Sequence, residues 1–543
     1  MKILIADSIA EQGIDTLRSF PEFEIDFLPR ITPEELLEKI GDYEALIVRS
    51  RTKVTEDVIA RAARLKVIGR AGVGVDNVDV DSATRRGIIV LNAPEGNTMS
   101  TAEHTWAMIL ALARNVPQAC ASLKAGNWER NRFTGVELYG KILGIIGLGR
   151  IGTEVARRAH SMHMKVIAYD PFLSKERASQ LGTELSEFDE VISSADFITV
   201  HCPLTQETKG IVGQKEFKKM KDGVRIINCA RGGIVDEKAL YDAIVSGKVA
   251  GAALDVFEQE PPTGNPLIAL DNVIVTPHLG ASTEEAQINV AVDVAEQVAH
   301  VLLGQPYKNA VNAPRISAET LAAVGPFLPL AESLGKLLAG LCGAGIRKVR
   351  LTYGGDLADV DTSMIMASFL RGLLSKVMTE EVNIINSRIL ALGRGIGISE
   401  SKEVNSFDFA SVVIAEVDSD KGTHRAAGTL FGKRDPRIVE IDGYRADAPC
   451  EGHVLIIPHV DKPGVVGPVG MVLGRYGVNI GSMHVARKTA GGTALMLLGV
   501  DVIPGYFDGK GTRLEEILAD ILKVDGVQDV KLVDLSHQVS QLI

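Results

Sequence analysis

Three short segments carry side chains whose types suit acid–base chemistry: INCARGGIVD with Arg231, LDVFEQEPP with Glu260 and VTPHLGAST with His278. Each follows an apolar run of strand length. Each polar residue is therefore expected near the carboxyl end of a strand, where open α/β sheets bind ligands. The three types fit one reaction. A histidine takes the proton of a hydroxyl as hydride leaves the same carbon, and a carboxylate holds that histidine in one orientation. A guanidinium grips a carboxylate in a two-pronged fork and polarises the neighbouring oxygen. Oxidation of a 2-hydroxy acid needs all three.

Such a reaction also needs a hydride acceptor, and the stretch KILGIIGLGRIGTEVARRA implies one. An apolar run leads into Gly147, Gly149 and Gly152, with Arg150 and Ile151 between them, and then into helical spacing. Glycines there let the backbone turn and approach a pyrophosphate, whose charge sits at the helix N-terminus. The next strand, KVIAYD, ends in Asp170, which can accept both ribose hydroxyls and would repel a 2′-phosphate. That predicts NAD rather than NADP.

These residues need a frame. Residues 1–95 alternate KILIAD, FEIDFLP, ALIVRS, KVIGRA and IIVLNAP with polar or helical stretches, the pattern of an α/β fold with a parallel sheet. A long helical pattern, TMSTAEHTWAMILALARN, leads to the glycine motif. Further strand–helix units follow it: KVIAYD, FITVHCP, VRIINCA, GAALDVF and NVIVTPH, then the helix TEEAQINVAVDVAEQVAHVLLG. QPYKNAVNAPRIS reads as a linker. Beyond it, LPLAESLGKLLAGL and MASFLRGLLSKVM read as helices, SVVIAEVD and HRAAGTLFG as strands. From His453 the order is strand, helix, strand, strand, helix, strand, the ferredoxin-like βαββαβ.

Bulk properties narrow the function classes. The chain has 543 residues, enough for three or four cores, with 46% hydrophobic and 23% charged residues. Its formal net charge is −11 and no basic stripe interrupts it, so neither nucleic acid nor an anionic membrane is expected as a partner. Five scattered cysteines without a CxxC pair suggest a reducing, cytoplasmic setting and no metal site. The opening MKILIAD meets an acid too early for a signal peptide.

GLGRIG, NCARGGIVDE, ALDVFEQEPP and TPHLGAST, in this order and spacing, resemble the D-2-hydroxyacid dehydrogenase family. The resemblance covers residues 1 to about 310. It implies Arg231, Glu260 and His278 as catalytic groups. For NAD it implies Gly147, Gly149, Arg150, Ile151, Gly152 and Asp170, together with Cys202, Cys229, Ala230, Asp255, Gly280 and Ala281. It also implies two Rossmann-like doubly wound domains, the substrate lobe being discontinuous: residues 1–96 and 284–312 for substrate, 97–283 for NAD. The cofactor would lie between lobes that close by a hinge.

IVRSRTKVT and IGRAGVGVDNVD are similar to the members of that family that act on D-3-phosphoglycerate, and a phosphorylated 2-hydroxy acid is the implied substrate. Arg49 and a basic residue near Arg130 from a neighbouring subunit would meet the phosphate. Arg70, Val73 and Asn97 would line the pocket. Residues 313–452 resemble the α+β intervening domain of the long members, with Arg425, Lys433, Arg434 and Arg437 as candidate anion ligands. Residues 453–543 resemble an ACT domain. There His459 and Asp461, with Asn479 from another subunit and Gly464 nearby, would bind L-serine as an effector. Sites shared between subunits imply an oligomer, by resemblance a homotetramer. The rival readings are a relative acting on 2-hydroxyglutarate, hydroxypyruvate or erythronate 4-phosphate, and an NAD-sensing scaffold without activity. The serine-type tail argues against the scaffold.

Overall fold

In the computed structural model, residues 1–314, 318–375, 377–378, 381–403, 409–432, 434–501 and 512–537 are described. Four sheets organise the chain. The first is parallel and five-stranded, in the spatial order Glu24–Phe27, Lys2–Ile5, Ala45–Val48, Val67–Arg70 and Ile89–Asn92. Its inner strands are short apolar runs such as ALIV, buried along its whole length, as expected of a parallel sheet covered on both faces, whereas the edge strand Glu24–Phe27 (EIDF) stays largely accessible. The chain order reverses beside Lys2–Ile5, so a crevice opens at the carboxyl ends of that strand and of Ala45–Val48.

The second sheet has seven parallel strands, in the order Val273–Val275, Val249–Leu254, Val224–Asn228, Phe197–Val200, Ile142–Ile146, Lys165–Tyr169 and Glu184–Leu185. Here the order reverses between Ile142–Ile146 and Phe197–Val200, immediately before Gly147. The two-residue edge strand Glu184–Leu185 is too short to leave an apolar run and was not anticipated from sequence.

Helix Glu284–Leu302 follows the second sheet but packs on the first. The Thr283 hydroxyl accepts from the Ala286 amide, and Glu284 and Glu285 sit favourably in its first turn. Val290, Val294, Val298 and Leu302 then bury against helix Glu11–Arg18 and strand Val67–Arg70. The chain thus returns to its first sheet after building its second.

A six-stranded mixed sheet follows: Gly397–Glu403, Ile346–Gly355, Ser411–Ser419, Gly422–Phe431, Asp435–Ile441 and Tyr444–Pro449. Helices Phe327–Cys342 and Ser363–Leu374 pack tightly together, and the first lies on this sheet. Only two of its strands were legible as apolar runs. Ile346–Gly355 (IRKVRLTYGG) and Gly397–Glu403 (GISESKE) carry charges between their apolar residues, and the latter is a largely exposed edge strand.

The last sheet orders His453–Val460 between Thr493–Val500 and Lys531–Asp534, with Ile480–Arg487 at the far edge. Helices Val466–Arg475 and Thr512–Leu522 complete the βαββαβ unit. Among the described residues, no helix is long and apolar enough to cross a membrane.

Candidate active site

The dinucleotide seat forms where strand Ile142–Ile146 turns into helix Arg150–Ser161. Gly147 has φ +94°, and a Cβ there would lie 2.8 Å from the His201 carbonyl carbon, so only glycine fits the turn. At Gly152 a Cβ would meet the Gly147 oxygen at 2.2 Å, so glycine also lets the helix sit against the turn. The helix is capped by Gly149, without a side-chain bond and without an acid in its first turn. Its first amides are therefore left for an anion. Asp170 ends the neighbouring strand and accepts from the Leu148 and Phe172 amides, both at 2.9 Å. These residues fit NAD: amides for the pyrophosphate, and a carboxylate of fixed orientation for the ribose. Cys202 borders this region, half-buried, with its thiol pushed up to about 11 by burial. Cys229 is buried and pushed up to about 12.

Asp255, at the end of strand Val249–Leu254, organises the opposite rim. It is 1% exposed. One carboxylate oxygen accepts from the Thr276 hydroxyl and the Leu279 amide, both at 2.6 Å; the other accepts from the Gly280 amide at 2.8 Å. Burial opposes its charge, but the His104 ring, the Thr276 hydroxyl and the two amides together hold it below the usual carboxylate range. Its carbonyl accepts the His278 amide at 2.9 Å. Ala281 follows directly after this wrapped segment, half-buried.

His278 itself is left-handed, with φ +56°, a conformation that costs a non-glycine residue about 1 kcal/mol or more. Its Nδ1 lies 2.8 Å from Glu260 Oε2, while Glu260 Oε1 accepts the Phe257 amide at 3.2 Å. The carboxylate is thus fixed by main chain on one side and contacts the imidazole on the other. Arg231 follows strand Val224–Asn228. Asn228 donates to the Arg231 carbonyl and accepts from the Ala230 amide. The Arg231 guanidinium reaches across to the first sheet's loops, 3.3 Å from Asp76 and against Gly74.

Facing it, Asp7 ends the first strand at the crevice noted above. Its buried carboxylate accepts from the Arg49 and Thr52 amides, the Thr52 hydroxyl and Arg51 Nε. Asn77 pins the same turn through the Arg49 and Thr52 carbonyls. Arg51 is therefore tied to Asp7, whereas among the described residues the Arg49 guanidinium makes only a 3.4 Å contact to the Ser8 carbonyl. Arg70 donates to the Ser50 hydroxyl, and its Nε is buried without a hydrogen-bond partner among the described residues. Burial, reinforced by the charges of Arg231 and Arg49, pushes the Arg70 guanidinium down to about 10. Val73 has its carbonyl taken by Asn92, and Asn97, which precedes helix Thr98–Arg114, keeps a buried side-chain oxygen without a partner. Sequence reading passed over Asp7, Ser50, Asp76 and His104. Asp7 alone left a signal, an acid closing an apolar run as Asp170 does.

Other expected residues are not brought to this cleft. Arg130 lies exposed in the turn Arg130–Phe133, whose Arg132 pairs with Asp271. Asp271 precedes strand Val273–Val275, and the site follows that strand, so within one chain Arg130 belongs to the opposite end of the strands. Arg150, by contrast, stays at the dinucleotide seat as the first residue of its helix and reaches Glu95 at 3.4 Å. Arg425 is paired with Glu440 and Glu416, and Arg437 with Asp435 and Asp447. Arg434 is exposed, and Lys433 lies outside the described residues. In the last sheet His459 is 2% exposed, with Nε2 unpartnered. Asp461 accepts from Arg487 and the Gly491 amide, and Asn479 donates to Asp501. His459 aligns with Ala494, whereas Ile480, next to Asn479, aligns with Val500. The two candidate effector residues thus stand about 20 Å apart along one chain's strands.

Fold and site define the class: two parallel nucleotide-binding-type sheets, with a histidine–carboxylate pair and guanidinium groups between them, make a dinucleotide-dependent dehydrogenase. Comparison with known proteins agrees. Residues 106–280 match the family D-isomer specific 2-hydroxyacid dehydrogenase, NAD binding domain, and residues 323–442 match the D-3-phosphoglycerate dehydrogenase intervening domain. The chain is 48% identical to the D-3-phosphoglycerate dehydrogenase of Archaeoglobus fulgidus, over 98% of this chain and 100% of that one. It is 47% identical to that of Methanocaldococcus jannaschii, with the same coverage. Among solved structures, D-lactate dehydrogenase from Aquifex aeolicus, in complex with NAD and lactic acid, superposes with a TM-score of 0.51 at 29% identity. It covers 58% of this chain and 100% of its own. The chain belongs to the D-3-phosphoglycerate dehydrogenases of the D-2-hydroxyacid dehydrogenase family, in the form that carries an intervening domain.

Proposed function

We propose that this chain oxidises D-3-phosphoglycerate to 3-phosphohydroxypyruvate, the opening step of L-serine synthesis. The observation that carries the substrate is the crowding of Arg49, Arg70 and Arg231 on one cleft. Burial and like charge depress the Arg70 guanidinium, and its Nε has no partner among the described residues. Such a cluster favours an acid with an anion at each end. Bound NAD supplies the hydride acceptor.

In this reading Arg231 holds the substrate carboxylate, exchanging its Asp76 contact for it. Arg49 takes the phosphate end, and Arg70, Val73 and Asn97 line the substrate and nicotinamide pocket. His278, held through Nδ1 by Glu260, accepts the C2 hydroxyl proton at Nε2. Asp170 selects NAD. The lobes divide the chain at 96/97 and 283/284, with further boundaries at 312/313 and 452/453. Closure of the cleft excludes water from the transfer.

Two further parts of the reading concern assembly and control. The enzyme is a cytoplasmic homotetramer in which Arg130 serves a neighbouring subunit's substrate, a reading supported by its distance from its own cleft. L-serine binds between His459 and Asp461 of one subunit and Asn479 of another, and feeds back on activity. Support comes from the buried, unpartnered His459 Nε2 and from Gly464, which has φ +87° and open space around it. Unchanged activity at saturating serine would remove this part.

The deciding experiment measures NADH formation from D-3-phosphoglycerate beside D-lactate, D-2-hydroxyglutarate and D-glycerate, in the wild type and in Arg49→Ala. Selective turnover of the phosphorylated acid, lost in the variant while NAD still binds, is the expected result. Equal turnover of the other acids would overturn the substrate assignment.

A further inference from the structure

We propose that His104 is a positioning residue for the proton-accepting histidine, acting through the Asp255 carboxylate and the Thr276 hydroxyl. The inference rests on the reading above, in which His278 accepts the substrate proton, and adds a group that neither the motifs nor the comparisons bring forward.

The His278 side chain is 48% exposed, so packing does not clamp its ring. Glu260 fixes the ring from one side. The other constraint is the main chain of residues 276–280, which wraps around Asp255. The His278 amide donates to the Asp255 carbonyl at 2.9 Å and to the Thr276 carbonyl at 3.0 Å, while the Leu279 and Gly280 amides donate to the Asp255 carboxylate. The left-handed backbone of His278 persists because this wrapping over-determines it.

His104 enters from outside the segment. It sits on helix Thr98–Arg114, which packs against strands Val224–Asn228, Val249–Leu254 and Val273–Val275 and against helix Arg150–Ser161. Its Nε2 lies 3.2 Å from Asp255 Oδ1 and 3.2 Å from Thr276 Oγ1. The Thr276 hydroxyl has one proton and gives it to Asp255 at 2.6 Å. Towards His104 it can only accept, as can the carboxylate. Both contacts therefore require a proton on His104 Nε2. The ring closes a triangle with Asp255 and Thr276, stops the hydroxyl from rotating away, and ties the wrapped segment to the packed helix. Misplacing a proton acceptor by a fraction of its hydrogen-bond length lowers the chemical step more than it lowers binding.

The test is steady-state oxidation of D-3-phosphoglycerate by the full-length chain carrying His104→Leu, His104→Gln or Thr276→Val. Leucine removes the donor, and glutamine restores an N–H near the Nε2 position. His104→Leu is expected to lower kcat about tenfold to a hundredfold, with the KM of NAD and of substrate changed by less than about threefold. His104→Gln recovers most of the loss, and Thr276→Val falls in the same direction as His104→Leu. In a His278→Asn background, His104→Leu has no further effect. Wild-type kcat in His104→Leu overturns the proposal. So does equal impairment of the leucine and glutamine variants, or a rise in the KM of NAD at constant kcat. Should circular dichroism show that the leucine variant does not fold, Thr276→Val decides: a lowered kcat supports the proposal and a wild-type kcat overturns it. If the wild type proves to turn over a different 2-hydroxy acid, the same series on that acid tests His104, and only the substrate reading falls.

Discussion

His278 Nδ1 lies 2.8 Å from Glu260 Oε2, although the two residues come from separate loops at the ends of different strands. The contact leaves Nε2 as the only ring nitrogen for a substrate hydroxyl. Replacing His278 by Gln removes the acceptor and is expected to lower kcat about 10²- to 10⁴-fold, with NAD affinity by calorimetry unchanged. Glu260→Gln keeps the ring in place but loses the charge. Its kcat falls less than that of the histidine variant, and equal losses would contradict the division of roles.

In the proposed reading Arg49 meets the phosphate end, so its removal separates substrates. Arg49→Ala is expected to raise the KM for D-3-phosphoglycerate about tenfold to a hundredfold, the worth of a charge-assisted hydrogen bond. Residual activity towards an unphosphorylated acid such as D-lactate stays at its wild-type level. Parallel loss towards both acids would place this arginine on the carboxylate.

Asp170 already accepts two amides, so its oxygens are oriented before any cofactor arrives. Asp170→Ala is expected to lower kcat/KM for NAD about tenfold to a hundredfold and to raise that for NADP, by removing the repulsion of a 2′-phosphate. Kinetics with both cofactors check it. Unaltered preference would show that another group reads the ribose.

Acid sensitivity is predicted at the seam between the mixed sheet and the final sheet. Glu332, on helix Phe327–Cys342, is nearly buried. It contacts Lys336 at 2.7 Å, Arg371, and His537, which follows the last strand. Burial opposes its charge, but His537, Lys336 and Arg371 outweigh it and bring the carboxyl down to about 2. A carboxyl depressed on folding stabilises the native state above its unfolded value near 4.5. That stabilisation is lost as pH falls through about 2. The contribution is on the order of 3 kcal/mol. Glu332→Gln should lower Tm at pH 7 and converge on the wild type as pH approaches 2. A constant difference across that range would contradict the assignment.

How much of this was readable in the linear chain depends on the range of the interaction. Apolar runs closed by an acid or a glycine turn, such as KILIAD, KVIAYD and KILGIIGLG, report strands and the loops that follow them, because strand, turn and helix N-terminus are set by neighbours a few residues apart. The charged strand Ile346–Gly355 was not readable in this way. Its place is chosen by pairing with Gly397–Glu403 and Ser411–Ser419. Asp255, Thr276 and His104 are unremarkable in sequence, and their triangle exists because helix Thr98–Arg114 packs under two distant strand ends. The separation of Arg130 from its own cleft, and of His459 from Asn479, likewise follows from which end of the strands each residue occupies. Residue type and local spacing thus determine which chemistry the chain can perform. Packing between segments far apart in sequence decides which donors meet which acceptors, because a hydrogen bond is made within about 3 Å in space, however long the chain between its partners.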